Sequence, residues 1–521
     1  MKRTLSLILC AALLLTSVCC MAGAEEAPIS FPYTGEEVTF HGYAYTGKDQ
    51  NPELPCIKAW KEHIGNININ YEFAAYTDYQ EKSKLMLATG EIPDILPIAN
   101  VMSVVAQYGD TGMLLDFNQY LDYMPNLKKY LETYPNLNYV CNADGARYAI
   151  IGVQPIDYSG EGWFVNMDVL RAAGIEKAPD TFVEMLEDMR IIKAKDPSIV
   201  PFQTYWNINY TQQWMAYSIG AKPQNVVYFD TADNQWKATY REESAKRKEL
   251  IELMHTLYSE GLVNSELATM SFEQEQAAIA SGKWAFTALY TGSPEAEIFK
   301  VQPGEALPFD IQPMTPPADE NGVRRMTIAY QHDGLPGWGI VCSSQTEHPE
   351  LLAAYMDQVV SKWGRDNFNY GIEGVTFDYI DGVPTLREGI DKAAYGLETQ
   401  YEVWMVGMGP VARTSLYTLQ QAANELNLKN FTEGKQEAVF EPAFAIFSAE
   451  DAAEKASLEN DIATYVTENE AAFIYGLRDM SEWDAYVAEL EGIADFDTLL
   501  DLYNNKAQII VRDPARVWVA E

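Results

Sequence analysis

Tryptophan, tyrosine and amide side chains occur where the chain leaves several of its predicted strands. Aromatic rings bury flat apolar surface, and amide groups pair with hydroxyls, which cost about 1–3 kcal/mol each when buried without a partner. Such residues suit noncovalent binding of a ligand that has flat C–H faces and hydroxyl edges. The candidate ligand-binding residues are Tyr45, Asn100, Trp163, Trp206, Tyr290, Trp338 and Trp404.

Side chains for catalysis or metal binding do not form a familiar pattern. The motifs G-x-S-x-G and H-E-x-x-H are absent, and none of the five histidines is spaced to share a metal. The acidic stretches 142–145 and 319–322 match a calcium loop only in part. We therefore predict that the protein is not an enzyme and has no cofactor and no bound metal.

Three cysteines, Cys56, Cys141 and Cys342, lie outside the N-terminal region. They are widely spaced and odd in number, which is not typical of a disulfide framework. A single disulfide would be compatible with this spacing, but we predict three buried free thiols.

Strands and helices alternate in a way that predicts an α/β fold. Strands are predicted at 38–45, 67–73 and 92–96, with helices over 51–63 and 77–89 between them. Further strands are predicted at 162–166, 284–290 and 337–343, and the last hundred residues are predicted to be mainly helical. Ligands of open α/β sheets bind at the carboxyl ends of the strands, which is why Tyr45, Asn100, Trp206 and Tyr290 are candidates. Trp163 lies within a predicted strand, Trp338 lies between two glycines that allow close approach of a ligand, and Trp404 lies in a stretch rich in glycine and methionine.

The first 24 residues have the three parts of a secretory signal peptide. Lys2 and Arg3 precede an apolar run over 5–18, and an A-x-A site ends at Ala24. Cleavage after Ala24 is predicted, with lipid attachment to Cys19 or Cys20 as the alternative. No second apolar run of about 20 residues follows. The mature chain is therefore predicted to work outside the cell, at the outer face of the cytoplasmic membrane, either secreted or lipid-anchored.

Length and charge limit the partners. A chain of 521 residues is too long for one core, so two or three domains are expected. The formal net charge of −38 repels phosphate backbones and anionic lipid headgroups. Nucleic acid is therefore excluded as a partner.

Five blocks of sequence, in the same order, resemble the family 1 extracellular solute-binding proteins of bacterial carbohydrate ABC importers. The likeness is greatest to the long, lipoprotein-type subgroup of Clostridia and Bacilli. The most specific block is Tyr370-Gly371-Ile372-Glu373-Gly374. The other blocks lie at 84–95, 166–181, 280–286 and 468–487.

This resemblance implies a two-lobed fold of the periplasmic-binding-protein type (type II), with a hinge between the lobes and a helical C-terminal extension. We expect residues 25–155 and about 315–375 in the N-terminal lobe, and 156–314 and about 376–521 in the C-terminal lobe. The implied function is capture of an oligosaccharide between lobes that close by hinge motion, and its delivery to ABC permease subunits. A monomer is expected.

Other functions remain open from the sequence. The same architecture binds peptides and other small solutes, and fold alone does not decide among them. A secreted glycoside-acting enzyme and a protein that presents its ligand to a sensor kinase are further alternatives. The acidic composition argues against a polyanionic ligand, for which Arg147, Arg365 and Arg413 would be the first candidate partners.

Overall fold

A computed structural model describes residues 29–45, 51–74, 76–133, 137–138, 145–151, 161–204, 208–224, 226–270, 272–290, 308–327, 338–387, 389–397, 418–439, 442–493 and 495–511. Buried apolar side chains form two large, separate clusters. The first cluster draws on residues 38–151 and 340–368. The second draws on residues 163–326 and 423–503. Two cores of this size correspond to two lobes.

The N-terminal part of the first cluster alternates between strands and helices. Its elements are β1 (Tyr33–Tyr45), α1 (Pro55–Ile64), β2 (Gly65–Ala74), α2 (Tyr76–Thr89), β3 (Ile95–Ala99), α3 (Val101–Tyr108) and α4 (Pro125–Thr133). Short 3-10 turns at Gly109–Thr111 and Phe117–Tyr123 connect α3 to α4.

The middle of the chain builds the second cluster. Its elements are β4 (Glu161–Asn166), α5 (Met167–Ala173), α6 (Phe182–Lys195), β5 (Val200–Gln203), α7 (Ile208–Ile219), β6 (Val227–Asp230), β7 (Gln235–Ala238), α8 (Thr239–Glu242), α9 (Ser244–Ser259), α10 (Phe272–Ala280), β8 (Trp284–Tyr290), β9 (Ile311–Met314) and β10 (Arg325–Thr327).

The remaining chain returns to the first cluster and then to the second. Its elements are β11 (Trp338–Cys342), α11 (Pro349–Val360), α12 (Lys362–Tyr370), β12 (Phe377–Ile380), β13 (Val383–Leu386), α13 (Lys392–Tyr395), α14 (Thr418–Thr432), β14 (Glu437–Val439), β15 (Ala443–Ile446), α15 (Ala449–Ile474), α16 (Trp483–Ile493), α17 (Phe496–Asp501) and β16 (Gln508–Val511). Within the described ranges, none of the helices has both the length and the apolarity that a membrane crossing requires.

Each cluster contains one four-stranded sheet. In the first sheet the order is β11-β3-β1-β2, with β1 parallel to β2 and β3, and β11 antiparallel to β3. In the second the order is β5-β8-β4-β9, with β5 parallel to β8 and the other pairs antiparallel. Both sheets are therefore mixed, and β11 reaches β3 from more than two hundred residues further along the chain.

Local signals explain several helix boundaries. The pattern Thr181-x-x-Glu184 predicts a capping box at the start of α6, and these two residues form both of its hydrogen bonds. The apolar pattern over 349–363 predicts a single helix, but the chain breaks at Ser361, whose hydroxyl accepts from Gly364 N at 3.0 Å to start α12. A Cβ on Gly364 would overlap the Gln358 carbonyl, so this close junction requires glycine.

The block that carried the closest family resemblance forms a tight turn after α12. Gly371 has φ +90°, and a Cβ there would lie 3.0 Å from Cys56 Sγ on α1. The Thr376 hydroxyl accepts from Ile372 N at 2.7 Å and donates to the Tyr370 carbonyl at 2.6 Å. The motif is therefore explained by backbone geometry and close packing.

The C-terminal extension touches both lobes. Helix α15 packs on α9 in the second cluster and also contacts α3 in the first. The stretch before the return to the first sheet belongs to the second cluster, since Met326 lies in that core and Ala318 bridges to Thr181.

Candidate ligand-binding site

The carboxyl ends of β1 and β3 meet at one edge of the first sheet. Gly42 pairs with Ile95, so continuing the parallel register puts Tyr45 level with Ile98. Across β3, Trp338 pairs with Ala99, the residue before Asn100. The backbone therefore brings together three candidates, Tyr45, Asn100 and Trp338, that are far apart in sequence.

Asn100 links the end of β3 to the start of α3. Its backbone is left-handed, with φ 54° and ψ 42°, and its carbonyl accepts from Val104 N at 3.1 Å. The side chain is exposed and does not cap α3. An asparagine tolerates this conformation better than most residues. Its amide is thus presented at the sheet edge and is not used to start its own helix.

A corresponding edge is present in the second sheet. Tyr290, at the end of β8, pairs with Glu161 at the start of β4. Gln203, at the end of the parallel strand β5, pairs with Thr287. The end of β5 is therefore level with Thr287, and β8 continues beyond it in the same direction to Tyr290.

Uncharged polar groups lie buried behind this second edge, and they were not among the sequence-based candidates. The Thr287 hydroxyl donates to the Gln203 carbonyl at 3.0 Å, and the Gln203 amide donates to the Thr204 carbonyl at 2.9 Å. Thr204 is 1% exposed, and its hydroxyl has no hydrogen-bond partner in the part of the chain that the structure describes. Polar residues at the end of an apolar strand were the signal that could have identified them.

Trp163 belongs to the core instead of the candidate site. It is 2% exposed, and its ring lies 5.9 Å from that of Phe202 and 6.5 Å from that of Trp214. Side chains pack on both faces of this sheet, so a strand tryptophan has no solvent-facing side. Trp206 and Trp404 lie outside the described residues.

The arginines considered for an anionic ligand are differently placed. Arg147 is 4% exposed and donates to the Leu137 carbonyl at 3.0 Å and to Asn138 Oδ1 at 2.8 Å. The Arg365 guanidinium lies 5.4 Å from the centre of the Tyr130 ring. Arg413 lies outside the described residues, as do both signal-peptide cysteines.

The partial calcium loop at 319–322 is a self-contained turn. Asp319 Oδ1 accepts from Asn321 N and Val323 N at 2.8 and 2.9 Å, and Oδ2 contacts Arg325 at 2.8 Å. Burial opposes ionisation, but Arg325 and the two backbone donors hold the pKa of the Asp319 carboxyl below its usual range. Both oxygens are therefore occupied by N–H donors. The second partial loop, at 142–145, lies almost entirely outside the described residues.

The two thiols that the structure describes are buried. Cys56 and Cys342 are free and fully covered. Burial raises the pKa of Cys56 to about 12 and also raises that of Cys342. These thiols have the character of small apolar side chains. Cys141 lies outside the described residues.

Comparison with known proteins relates this arrangement to a family. The family described as bacterial extracellular solute-binding protein matches residues 48–362. The fructooligosaccharide ABC transporter substrate-binding protein FusA of Streptococcus pneumoniae is 23% identical over 511 residues, covering 88% of each chain. Lipoprotein LipO of Bacillus subtilis is 23% identical over 481 residues, covering 89% of this chain and 91% of its own.

A solved structure shows the same architecture. The crystal structure of alginate-binding protein AlgQ2 without calcium ion superposes with a TM-score of 0.71 at 21% identity, covering 92% of this chain and 99% of that one. At this identity the likeness establishes the fold alone. The fold is thus the expected two-lobed α/β architecture, with additional C-terminal helices.

Proposed function

Because this chain belongs to the family of bacterial extracellular solute-binding proteins, we propose that it captures an oligosaccharide for an ABC importer. The observation that carries this proposal is the similarity to FusA across 88% of both chains, since that relative is named for a fructooligosaccharide. AlgQ2, which shares the fold, is also named for a carbohydrate.

The two sheet edges supply the groups that such a ligand needs. Tyr45, Asn100 and Trp338 contribute from the first edge, where rings stack on sugar C–H faces and the Asn100 amide pairs with hydroxyls. Tyr290 contributes from the second edge, behind which Gln203 and Thr204 are buried. Trp206, which follows β5 in sequence, and Trp404 complete the proposed set.

The protein binds its ligand and releases it unchanged. Its relatives are substrate-binding proteins, and the candidate ligand-binding residues at the two edges carry aromatic rings and an amide. The protein is a monomer, and it delivers the bound oligosaccharide to the membrane permease subunits. Peptides and other small solutes are the controls for this assignment.

The lobes close around the ligand by hinge motion. The N-terminal lobe comprises 25–155 and a returning segment that ends near 375, and the C-terminal lobe comprises the rest of the mature chain. The pairing of β11 with β3 supports the returning segment. Since Met326 is part of the second core, we move the start of this segment from about 315 to a position after 327.

The protein works outside the cytoplasmic membrane. The family is extracellular, the name of one relative describes a lipoprotein, and residues 1–24 have the composition of an export signal. The intact mass of the mature protein from a bacterial host distinguishes cleavage after Ala24 from a diacylglyceryl group on Cys19 or Cys20.

The test is calorimetric titration of the mature protein with defined oligosaccharides, with peptides as controls. A ligand that binds only the folded state also raises the unfolding free energy by about 2.7 kcal/mol at one hundred times its Kd. We expect saturable binding of one glycan class, with the glycan recovered intact by mass spectrometry. Binding of peptides alone would refute the carbohydrate assignment, and recovery of cleaved glycan would refute the binding-only function.

A further inference from the structure

We infer that Gly339 on β11 is a positioning residue of the ligand site. Its missing side chain lets the first turn of α3 pack closely against β11, and this contact fixes the direction of the Asn100 amide. The inference rests on the proposed function, in which Asn100 contacts the oligosaccharide. Gly339 acts on the ligand only through the backbone of α3.

The side of Gly339 that a side chain would occupy is filled by the core of the first lobe. A Cβ there would lie 2.8 Å from Ile151 Cγ2, 2.8 Å from Val101 Cγ2 and 3.1 Å from the Ile150 carbonyl oxygen. Carbon atoms in contact prefer separations of about 3.5–4.0 Å, so a methyl group does not fit without movement. The sequence predicts room for a ligand beside this glycine, but side chains of the protein occupy that room.

The backbone at Gly339 would accept an alanine. Gly339 is not among the described glycines with a positive φ, so a side chain brings none of the strain of the left-handed region. The substitution Gly339→Ala therefore tests the space beside β11 and leaves the backbone preference out of the comparison.

The neighbours of Gly339 have little freedom to withdraw. Val101, Ile150 and Ile151 are 0%, 1% and 3% exposed. Ile150 exchanges two backbone hydrogen bonds with Ile340, at 2.8 and 2.9 Å, which fixes its carbonyl. Val101 and Ile151 are β-branched, so their χ1 angles are restricted. Since β11 is hydrogen-bonded to β3 and to Ile150, whereas α3 is not part of this ladder, an added methyl group displaces the first turn of α3.

Asn100 alone separates β3 from α3, so it must absorb this displacement. β3 ends at Ala99 and α3 begins at Val101. Ala99 is fixed by its pairing with Trp338, which leaves the φ and ψ of Asn100 as the adjustable angles. These are 54° and 42°, and they set the direction of the exposed amide. The space beside Gly339 is thereby linked to the orientation of a proposed ligand contact.

The experiment compares one crowded variant, one relieved variant and two controls. Gly339→Ala adds the methyl group, and Gly339→Ala/Ile151→Leu removes the crowded γ2 methyl while it conserves apolar volume. Gly492→Ala is the matched control, because a Cβ there meets nothing within 4 Å and Gly492 has no positive φ. Val359→Ala, at a fully buried position of the same core, controls for lost stability.

The first readout needs no ligand. In protein labelled with ¹⁵N at asparagine, the backbone and side-chain amide signals of Asn100 are identified by their absence from Asn100→Gly. We expect these signals to shift in Gly339→Ala, to move back in the relieved variant, and to stay in place in both controls. Unshifted Asn100 signals in Gly339→Ala would overturn the inference.

The second readout is affinity. The probes are kestose, the sugar in complex with FusA in one solved structure, and the oligosaccharides that test the proposed function. We expect Gly339→Ala to bind the tightest probe at least tenfold more weakly than the unmodified protein, which corresponds to about 1.4 kcal/mol. The relieved variant should regain most of this loss. Val359→Ala should lower the urea midpoint and keep the affinity.

Two results of the titrations contradict the inference. One is an unchanged affinity in Gly339→Ala. The other is an equal loss of affinity in Gly339→Ala and Val359→Ala, because lost stability would then explain both. If Gly339→Ala does not fold, Val101→Ala loosens the same contact from the α3 side and is compared with Val359→Ala, the same substitution at an equally buried position. Equal affinities of these two variants would refute the role of the contact.

Failure of the proposed function gives a different result. If no oligosaccharide binds the unmodified protein, the carbohydrate assignment is wrong, and the Asn100 signals still decide whether Gly339 positions this residue. If a sugar binds with the same affinity although the Asn100 signals have shifted, the carbohydrate assignment stands and only the inference about Gly339 is overturned.

Discussion

Arg247 on α9 and Glu470 on α15 form a bidentate ion pair in the core of the second lobe. The Arg247 Nε and Nη2 atoms lie 2.6 and 2.7 Å from Glu470 Oε1 and Oε2. The Tyr240 hydroxyl donates to Glu470 Oε1 at 2.5 Å. Both charged side chains are nearly inaccessible, at 1% and 4% exposure. The pair therefore anchors the long C-terminal helix to the body of the lobe.

Removing one member of this pair should destabilise the second lobe strongly. Arg247→Met leaves Glu470 buried without its cation, which costs about 3–5 kcal/mol. Arg190→Met is the matched control, since Arg190 makes a similar bidentate pair with Glu260 at the surface, where loss costs at most about 1 kcal/mol. Urea unfolding of the two variants measures the difference. Equal unfolding midpoints for the two variants would contradict the expectation that burial makes the Arg247–Glu470 pair the more important for stability.

Asn100 allows the effect of its side chain to be separated from that of its backbone. Asn100→Gly keeps the left-handed conformation accessible and removes only the amide, so stability should change little. Affinity for the oligosaccharide should fall roughly tenfold, which corresponds to about 1.4 kcal/mol. Asn234→Gly is the control, because Asn234 is also exposed with φ 58°, in the β6–β7 hairpin. Unchanged affinity in Asn100→Gly would remove Asn100 from the site.

Two tryptophans should respond to substitution in opposite ways. Trp163→Ala empties part of the second core and should cost about 3–5 kcal/mol of stability. Trp338→Ala, at the edge beside Ala99, should lower ligand affinity with a much smaller effect on Tm. Differential scanning calorimetry and titration of each folded variant test this pair. The assignment of Trp338 fails if its variant loses stability and keeps affinity.

Asp357 should make the unfolding free energy depend on pH, and the sign of this dependence follows from its surroundings. It accepts from Leu127 N at 2.8 Å and from Asn126 Nδ2 at 2.7 Å. Burial raises the pKa of this carboxyl from 3.8 to about 6, although these donors oppose the change. The folded state therefore keeps the proton to higher pH than the unfolded chain. The resulting stabilisation is complete below pH 3.8 and is lost as the pH rises through about 6.

Asp357→Asn should remove this contribution to the pH dependence of the unfolding free energy. Relative to the unmodified protein, the variant should gain stability between about pH 4 and pH 7, by up to roughly 3 kcal/mol. Asp122→Asn, at an exposed carboxylate just before α4, is the control. The prediction is wrong if the urea midpoints of Asp357→Asn and the unmodified protein run parallel across this pH range.

The buried thiols should be chemically silent in the folded protein. In the mature chain without lipid anchor, Cys141→Ser leaves only Cys56 and Cys342. Because the thiolate is the reactive form and burial raises the pKa of both groups, Ellman's reagent at about pH 8 should react with neither. Two equivalents should react after unfolding in guanidinium chloride. Rapid reaction of the native protein would show that one of these sites opens.

Much of the local structure could be predicted from the sequence because its causes are local. Residues within four positions of one another decide the capping box of α6. Its β-branched and aromatic content identifies β1, and alternation over a few residues identifies β2. The strand predicted at 284–290 corresponds to β8 in full. The broken helix at Ser361 was missed because the apolar pattern continues through it, whereas the break depends on close backbone packing at Gly364.

Only the tertiary structure decided which distant elements meet. No local signal pairs β11 with β3, and that pairing is what brings Trp338 beside Asn100. The sequence also could not show that both faces of β4 are covered, which puts Trp163 in the core. Nor could it select Glu470 as the partner of Arg247 from so many carboxylates.

The sequence by itself determined the types of the elements and the acidic, aromatic-rich composition, because these depend on neighbouring residues and on residue counts. Strand pairing, burial and ion-pair partners depend on contacts across hundreds of residues, and only folding establishes them.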